Sequence, residues 1–151
     1  MRQRLIISQI EFHLPAEFKD LSAYAELLPF NWDSPIHPFA GVVINFCVST
    51  NAHRDRLDKK ICVIIPFGEW EGGEICLYEL GLVIKLKPGD ILVFPSSDIT
   101  HFNMHFNGLR GSLVLHSDRL GDSWVEGYNG WRKHIVTGDP AEIGTGRVIS
   151  E

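Results

Sequence analysis

The stretch GVVINFCVSTNAHRDRLDKKICVIIPF, residues 41–67, decides how the fold of this chain is interpreted. Its two apolar, β-branched runs, at 41–48 and 59–67, are typical of strands that contribute to a core. A polar and charged segment separates them. The pattern predicts two strands joined by a surface connection, and that connection carries His53 and Asp55 two positions apart.

Turn signals divide the following sequence into further short strands. Glycine- or proline-containing turns are predicted at 71–74, 87–90 and 107–109. The strands between them are predicted at 74–80, 82–86, 91–94, 101–106 and 110–117. About seven or eight short strands without intervening helices favour an all-β sandwich or barrel over repeated βαβ units.

The regions flanking this core are less regular. Residues 1–40 are predicted as a helix and loop leader, with an edge strand at 5–10 and a helix from Pro15. Residues 119–151 form a C-terminal extension without a clear period. A chain of 151 residues fits a single domain, and we expect 41–118 to be its barrel core.

Composition limits the classes of function and the compartment. The formal net charge of −5 provides no basic footprint for duplex nucleic acid. Cys47, Cys62 and Cys76 are widely spaced within apolar runs, which favours buried free thiols in a reducing compartment. No apolar run approaches the roughly 18 residues of a membrane span. We therefore expect a soluble, intracellular protein without a membrane partner.

Three residues have the chemistry of an iron site. Residues two apart at a strand end share a face, so His53 and Asp55 are predicted to grip one ion. His101 opens a later strand and is predicted to supply the second imidazole. Two imidazoles and one carboxylate are typical of non-haem Fe(II) oxygenases. His105 would lie about 13 Å from His101 along a strand, at roughly 3.3 Å per residue, and is predicted to lie outside the site.

A second set of residues has the chemistry of a carboxylate receptor. Arg110 and Ser112 are predicted to share one face of a strand. The planar guanidinium binds carboxylates through two parallel hydrogen bonds, and a neighbouring hydroxyl adds a third. Asn45 interrupts an apolar strand and needs a hydrogen-bond partner if it is buried. Contact with a co-substrate and contact with neighbouring backbone are both open for Asn45.

The motifs H-R-D at 53–55, T-H-F-N at 100–103 and L-R-G-S-L-V-L at 109–115 occur in this order. They resemble the HxD…H…RxS pattern of the Fe(II)/2-oxoglutarate-dependent dioxygenases, over about residues 39–118. The nearest similarity is to TET/JBP-like oxygenases of the fungal type, where another Asp follows H-R-D, here Asp58. From the residues alone Asp58 is expected to be a solvated turn carboxylate. The short spacing from the second His to the Arg is also similar to that of prolyl hydroxylases.

The resemblance implies a fold, a cofactor and a reaction. The fold would be an all-β core with minor helices, a double-stranded β-helix (jelly-roll or cupin-like) barrel. His53, Asp55 and His101 would hold Fe(II), which 2-oxoglutarate would chelate, while Arg110 and Ser112 would bind its far carboxylate. With O2, the enzyme would decarboxylate 2-oxoglutarate to succinate and oxidise an unactivated C–H bond.

The primary substrate is open at this stage. The TET/JBP-like resemblance implies a nucleobase methyl group, reached by flipping the base out of the helix. The acidic composition argues against this, and a protein side chain or a small molecule stays open, as does the chain being a fragment. The alternatives are a cupin-like metal-binding barrel, a catalytically silent interaction barrel and a prolyl-hydroxylase-like protein oxygenase. Trp70, Trp124 and Trp131 are candidates for a substrate groove or for aromatic packing.

Overall fold

The computed structural model describes residues 2–28 and 34–126. Within these ranges the chain forms three α-helices and seven β-strands. The helices are α1 (Arg2–His13), α2 (Pro15–Leu27) and α3 (Leu120–Glu126). The strands are β1 (Gly41–Phe46), β2 (Cys62–Gly72), β3 (Ile75–Leu77), β4 (Leu82–Ile84), β5 (Leu92–Phe94), β6 (His101–Asn103) and β7 (Phe106–His116). No helix in the described ranges is long and apolar enough to cross a membrane.

The N-terminal region folds as two helices, so the edge strand predicted at 5–10 is wrong. That segment lies within α1, and the backbone N–H of Leu14 donates to the Ile10 carbonyl at 2.8 Å where α1 leads into α2. A helix places residues four apart on one face, and Ile6 and Ile10 both pack against the same core cluster. The helix predicted from Pro15 is confirmed, with proline in the first turn, where its missing N–H is not needed.

The larger sheet is antiparallel, with the strand order β1-β7-β2-β5. The 11-residue strand β7 pairs with β1 on one side and with β2 on the other. The turn predicted at 107–109 is wrong, because these residues lie inside β7. Gly108 has φ +109°, and a Cβ there would lie 2.4 Å from the Glu69 carbonyl oxygen. The glycine therefore permits a close approach of two strands and does not reverse the chain.

The smaller sheet is also antiparallel and has the order β4-β3-β6. A short 3-10 helix, Tyr78–Leu80, follows β3, so the strand predicted at 74–80 is shorter than expected. One buried cluster lies between the two sheets and includes Cys62, Ile75 and Phe94. A second cluster packs α1 and α2 on the larger sheet. Two antiparallel sheets with few helices form a jelly-roll-like core, and the predicted fold class is confirmed.

The three cysteines are free, but they differ in exposure. Cys62 and Cys76 are buried, as predicted, whereas Cys47 is exposed. Cys47 follows the last residue of β1 and has φ +49°. The chain leaves the sheet at this point, which is why the prediction of a buried thiol is wrong for Cys47.

Candidate active site

The connection between β1 and β2 carries His53 and Asp55 in an irregular conformation, not at a strand end as predicted. His53 and His101 form one isolated antiparallel bridge, in which each backbone N–H donates to the other residue's carbonyl, at 3.1 and 2.9 Å. The N–H of Asp55 donates to the Ser96 carbonyl at 3.1 Å. These three backbone bonds bring the connection beside the start of β6 without extending a sheet.

The side chains of His53, Asp55 and His101, here called the His-Asp-His group, converge as predicted. They offer one ligand atom each, and these atoms all lie within 4.8 Å of one another. Nε2 of His53 lies 3.6 Å from Oδ1 of Asp55, and Nε2 of His101 lies 3.5 Å from Oδ2. Two imidazole nitrogens and one carboxylate on one side of an ion leave further positions open, so the donor set fits Fe(II).

Backbone carbonyls orient both imidazoles. Nδ1 of His53 lies 2.7 Å from the Asn51 carbonyl oxygen, and Nδ1 of His101 lies 3.0 Å from the Ile99 carbonyl oxygen. A carbonyl oxygen only accepts, so each Nδ1 carries the proton of that hydrogen bond. Nε2 of each ring is therefore the nitrogen left to face Asp55, which is the arrangement that a metal-ligating histidine needs.

The electrostatics of the group favour a cation. The hydrogen bond from His101 lowers the pKa of Asp55. Burial acts to lower the pKa of His101, but the Asp55 carboxylate and the Ile99 carbonyl outweigh it and raise that pKa above its usual value. Without a metal, a proton on His101 is thus favoured beside the Asp55 carboxylate, and a bound metal ion would supply the positive charge in its place.

Arg110 and Ser112 share one face of β7, as predicted, and β1 places Asn45 directly opposite Ser112. The side-chain amide of Asn45 donates to Ser112 Oγ at 3.5 Å, a long hydrogen bond. Arg110 is 5% exposed; its Nη2 donates to Asn103 Oδ1 at 3.3 Å. Its buried Nε has no hydrogen-bond partner. Burial lowers the pKa of Arg110, and within the described residues no carboxylate pairs with it.

One cavity of about 290 Å³ joins the two sets of residues. It is lined by all six residues predicted from the sequence: His53, Asp55, His101, Arg110, Ser112 and Asn45. The structure therefore brings the His-Asp-His group and a guanidinium without an ion-pair partner among the described residues into one cavity.

Asp58 and His116 are among the polar residues that line the cavity and were not predicted as site residues. Asp58 is buried, not a solvated turn residue; it accepts a hydrogen bond from Ser96 Oγ at 2.5 Å. Its Oδ1 lies 3.2 Å from Nδ1 of His116, which makes no hydrogen bond. Burial raises the pKa of Asp58. Ser96 lies 38 residues from Asp58, and no local sequence pattern predicts that contact.

The other candidates from the sequence are His105 and three tryptophans. His105 is exposed between β6 and β7, outside the His-Asp-His group, as expected. The Arg110 guanidinium lies 5.6 Å from the centre of the Trp70 ring, so Trp70 packs beside Arg110. The side chain of Trp124 and all of Trp131 lie outside the described residues.

Comparison with solved structures adds a likeness of fold. The structure of NgTET1 in complex with 5mC DNA aligns with a TM-score of 0.64 and 18% identity, over 76% of this chain and 47% of that chain. A 2OG-Fe(II) oxygenase family oxidoreductase from Burkholderia pseudomallei aligns over 52% of this chain and 42% of that chain, with 23% identity and a TM-score of 0.44. No family profile matches the chain, and no curated protein sequence matches it.

The likeness to NgTET1 establishes a shared fold. The resemblance to the Fe(II)/2-oxoglutarate-dependent, TET-like oxygenases is therefore confirmed at the level of the fold, and the His-Asp-His group is present. The chain spans about half the length of the NgTET1 chain.

Proposed function

We propose that the chain is an Fe(II)- and 2-oxoglutarate-dependent dioxygenase that oxidises an unactivated C–H bond. The observation that carries this proposal is Arg110, a buried guanidinium with an unpartnered Nε in the same cavity as the His-Asp-His group. A buried charge is costly unless it is paired, so an anionic ligand would relieve it. In a barrel that bound only a metal, the buried guanidinium of Arg110 would have no anionic ligand.

Each residue has a defined part in the proposed site. The His-Asp-His group would ligate iron and leave positions open for the keto-acid end of 2-oxoglutarate. Arg110 would bind the far carboxylate through a bidentate pair, and Ser112 and Asn45 would add hydrogen bonds from the facing strands. Bound iron would supply the activation of O2 that is coupled to decarboxylation to succinate. The protein's own part is to hold the co-substrate in one orientation and keep water from its buried end.

For the primary substrate we propose a nucleobase methyl group. The solved NgTET1 structure is a complex with 5mC DNA, and the folds are alike. A flipped base carries ring nitrogen and oxygen atoms that need partners, and Asp58 and His116 line the cavity with complementary polar atoms. In this proposal residues 41–118 form the catalytic core, flanked by 1–40 and 119–151.

The first test is an anaerobic titration of the purified protein with Fe(II), with 2-oxoglutarate added last. A weak visible charge-transfer band that forms only with both components is expected, because it reports chelation of the keto acid at the iron. Iron binding without a band would favour a cupin-like metal-binding barrel. Absence of iron binding would favour a catalytically silent interaction domain.

The substrate is tested separately under air. Succinate formation is measured with a methylated DNA duplex, an unmethylated duplex of the same sequence, a set of peptides and a set of small molecules. We expect stimulation by the methylated duplex over its unmethylated control. Stimulation by peptides alone would replace the nucleobase with a protein side chain and leave the oxygenase assignment intact.

A further inference from the structure

A ring of three side chains lies next to the metal ligands in sequence but outside the cavity lining. Arg54 stands between His53 and Asp55, and Thr100 directly precedes His101. Glu79 comes from the 3-10 helix that follows β3. Nη2 of Arg54 donates to Glu79 Oε1 at 2.5 Å, and Nε of Arg54 donates to Thr100 Oγ1 at 3.0 Å.

The ring is closed by two bonds between Thr100 and Glu79. The Thr100 hydroxyl donates to Glu79 Oε1, and the Thr100 backbone N–H donates to Glu79 Oε2, both at 2.6 Å. The Thr100 carbonyl in turn accepts a hydrogen bond from the Tyr78 backbone N–H at 2.9 Å. One carboxylate therefore binds the segment before His101 and, through Arg54, the segment between the other two ligands.

We propose that Glu79 is a positioning residue for the metal site, which fixes the His53–Asp55 segment to the start of β6 through Arg54 and Thr100. This inference rests on the proposed metal site and is independent of the primary substrate. Glu79 is not a ligand and does not line the cavity. Its effect is transmitted by the backbone positions of the residues next to the ligands.

The need for such a ring follows from the local fold. The connection that carries His53 and Asp55 belongs to no strand, and a single backbone bridge holds His53 to His101. The bridge and the Asp55 N–H bond to the Ser96 carbonyl still allow this segment some freedom to tilt, which would change the spacing of the ligand atoms. The side-chain ring acts on the neighbouring residue pair, 54 and 100, and removes that freedom. Affinity for a metal depends on such preorganised ligands.

The ring is also charged at neutral pH. The hydrogen bond from Thr100 is the largest cause that lowers the pKa of Glu79, to about 2. The Arg54 and Glu79 side chains are partly exposed, 43% and 34%. Salt screens exposed ion pairs, so the contribution of the ring to metal affinity is expected to decrease at high ionic strength.

The test uses Co(II) as a spectroscopic probe, titrated alone into the full chain under anaerobic conditions. Glu79→Ala is expected to weaken Co(II) affinity by about 10-fold, the lower end of what outer-shell changes cost, and to alter the Co(II) absorption bands. Thr100→Val is expected to do the same, and Thr100→Ser, which keeps the hydroxyl, to retain the parent affinity and spectrum. The double variant Arg54→Met/Glu79→Ala is expected to bind Co(II) little more weakly than Arg54→Met or Glu79→Ala alone. Each of these three proteins has lost the same ring of hydrogen bonds.

A matched control is the ion pair of Lys60 and Asp20, at 2.8 Å and with similar exposure of 47% and 51%. Asp20→Asn removes that pair and is expected to leave Co(II) binding unchanged. A folded Glu79→Ala protein that binds Co(II) within twofold of the parent, with the same spectrum, overturns the inference. If Glu79→Ala does not fold, equal affinities for Thr100→Val and Thr100→Ser overturn it. A parent protein that binds no Co(II) overturns the proposed function itself.

Discussion

The two ends of the cavity are built differently. Arg110 and Ser112 lie on β7, which is paired on both sides, so the proposed carboxylate receptor is held by regular ladders. His53 and Asp55 lie on an irregular connection that reaches His101 through one backbone bridge. The proposed metal end therefore depends on a few specific contacts, and the proposed receptor end depends on the sheet.

This difference explains which destabilising interactions each end of the cavity tolerates. A buried guanidinium with an unsatisfied Nε is destabilising, and the long ladders of β7 compensate for it. At the metal end, Asp55 and His101 attract each other and need no such compensation. Variants at the metal end should thus change metal binding and everything that follows from it. Variants at the receptor end should change co-substrate binding alone.

The largest effect is expected from removing a ligand. Asp55→Ala deletes the carboxylate of the His-Asp-His group, and His53→Ala deletes one imidazole. Either should reduce Fe(II) affinity beyond the roughly 100-fold range of outer-shell changes and abolish turnover, while the fold is kept. Fe(II) titration, with thermal unfolding as the control for folding, measures both. Full activity in either variant would contradict the assignment of these ligands.

The next effect is expected at the receptor end. Arg110→Met removes the charge at similar volume, so the 2-oxoglutarate concentration for half-maximal activity should rise by about 100-fold, from roughly 3 kcal/mol of charge-assisted hydrogen bonds. Metal affinity should be unchanged. The metal-free fold should gain about 1 kcal/mol in free energy of unfolding, because an unsatisfied buried group is removed.

Arg110→Lys is the control for the receptor, since it keeps the charge and loses the planar fork. It should bind 2-oxoglutarate more weakly than the parent and more tightly than Arg110→Met. An unchanged 2-oxoglutarate requirement in Arg110→Met would mean that the carboxylate is held elsewhere. Urea unfolding of the metal-free proteins tests the predicted gain in stability.

A change of pH should affect the proposed metal end and the proposed receptor end differently. The lowered pKa of Asp55 contributes stability that is present above 3.8 and is lost as the pH falls through its folded pKa. The raised pKa of His101 contributes stability that is present below 6.5 and is lost as the pH rises through its folded pKa. Between pH 3.8 and 6.5, therefore, both shifts stabilise the metal-free protein.

Metal binding has the opposite preference, because it requires a neutral His101. Co(II) affinity should fall by about 10-fold per pH unit once the pH drops below the raised pKa of His101, since one proton must be released. Thermal unfolding of the metal-free protein and Co(II) titrations from pH 5 to pH 8 measure the two trends. A Co(II) affinity that is flat over this range would contradict His101 as a metal ligand.

The smallest effect is expected from Ser112→Ala. Loss of one neutral hydrogen bond is worth about 1 kcal/mol, so the 2-oxoglutarate requirement should rise about 5-fold with no change in metal affinity. His105→Gln is the matched control, because His105 is exposed and lies outside the site. An effect of Ser112→Ala as large as that of Arg110→Met would mean that the hydroxyl holds the sheet together.

The receptor end could be predicted from the sequence because strand periodicity is local. Arg110 and Ser112 are two apart on a strand, and this alone places them on one face. The same argument predicts that His53 and Asp55 come together; their side chains do converge, but for a different reason. Their convergence comes from the bridge to His101 and not from the pleat of a strand.

Residues that act through distant contacts could not be predicted. Thr100 lies 21 residues from Glu79, and no periodicity or turn signal relates them. Asp58 looked like a solvated turn residue because its charged neighbours dominate the local pattern. Likewise, Asn-Gly at 107–108 is typical of a turn, and only the pairing with β2 shows that the glycine serves a close strand contact.

Gly73 offers a control of the proposed co-substrate site through contacts and backbone strain, without any polar group. It has φ +68°, and a Cβ there would lie 3.0 Å from Phe106 Cβ and 3.4 Å from Arg110 Cδ. The turn before β3 is thus a spacer whose lack of a side chain leaves room for the stem of Arg110. A protein engineer could use Gly73→Ala to displace the guanidinium and tune the response to 2-oxoglutarate without changing any polar group.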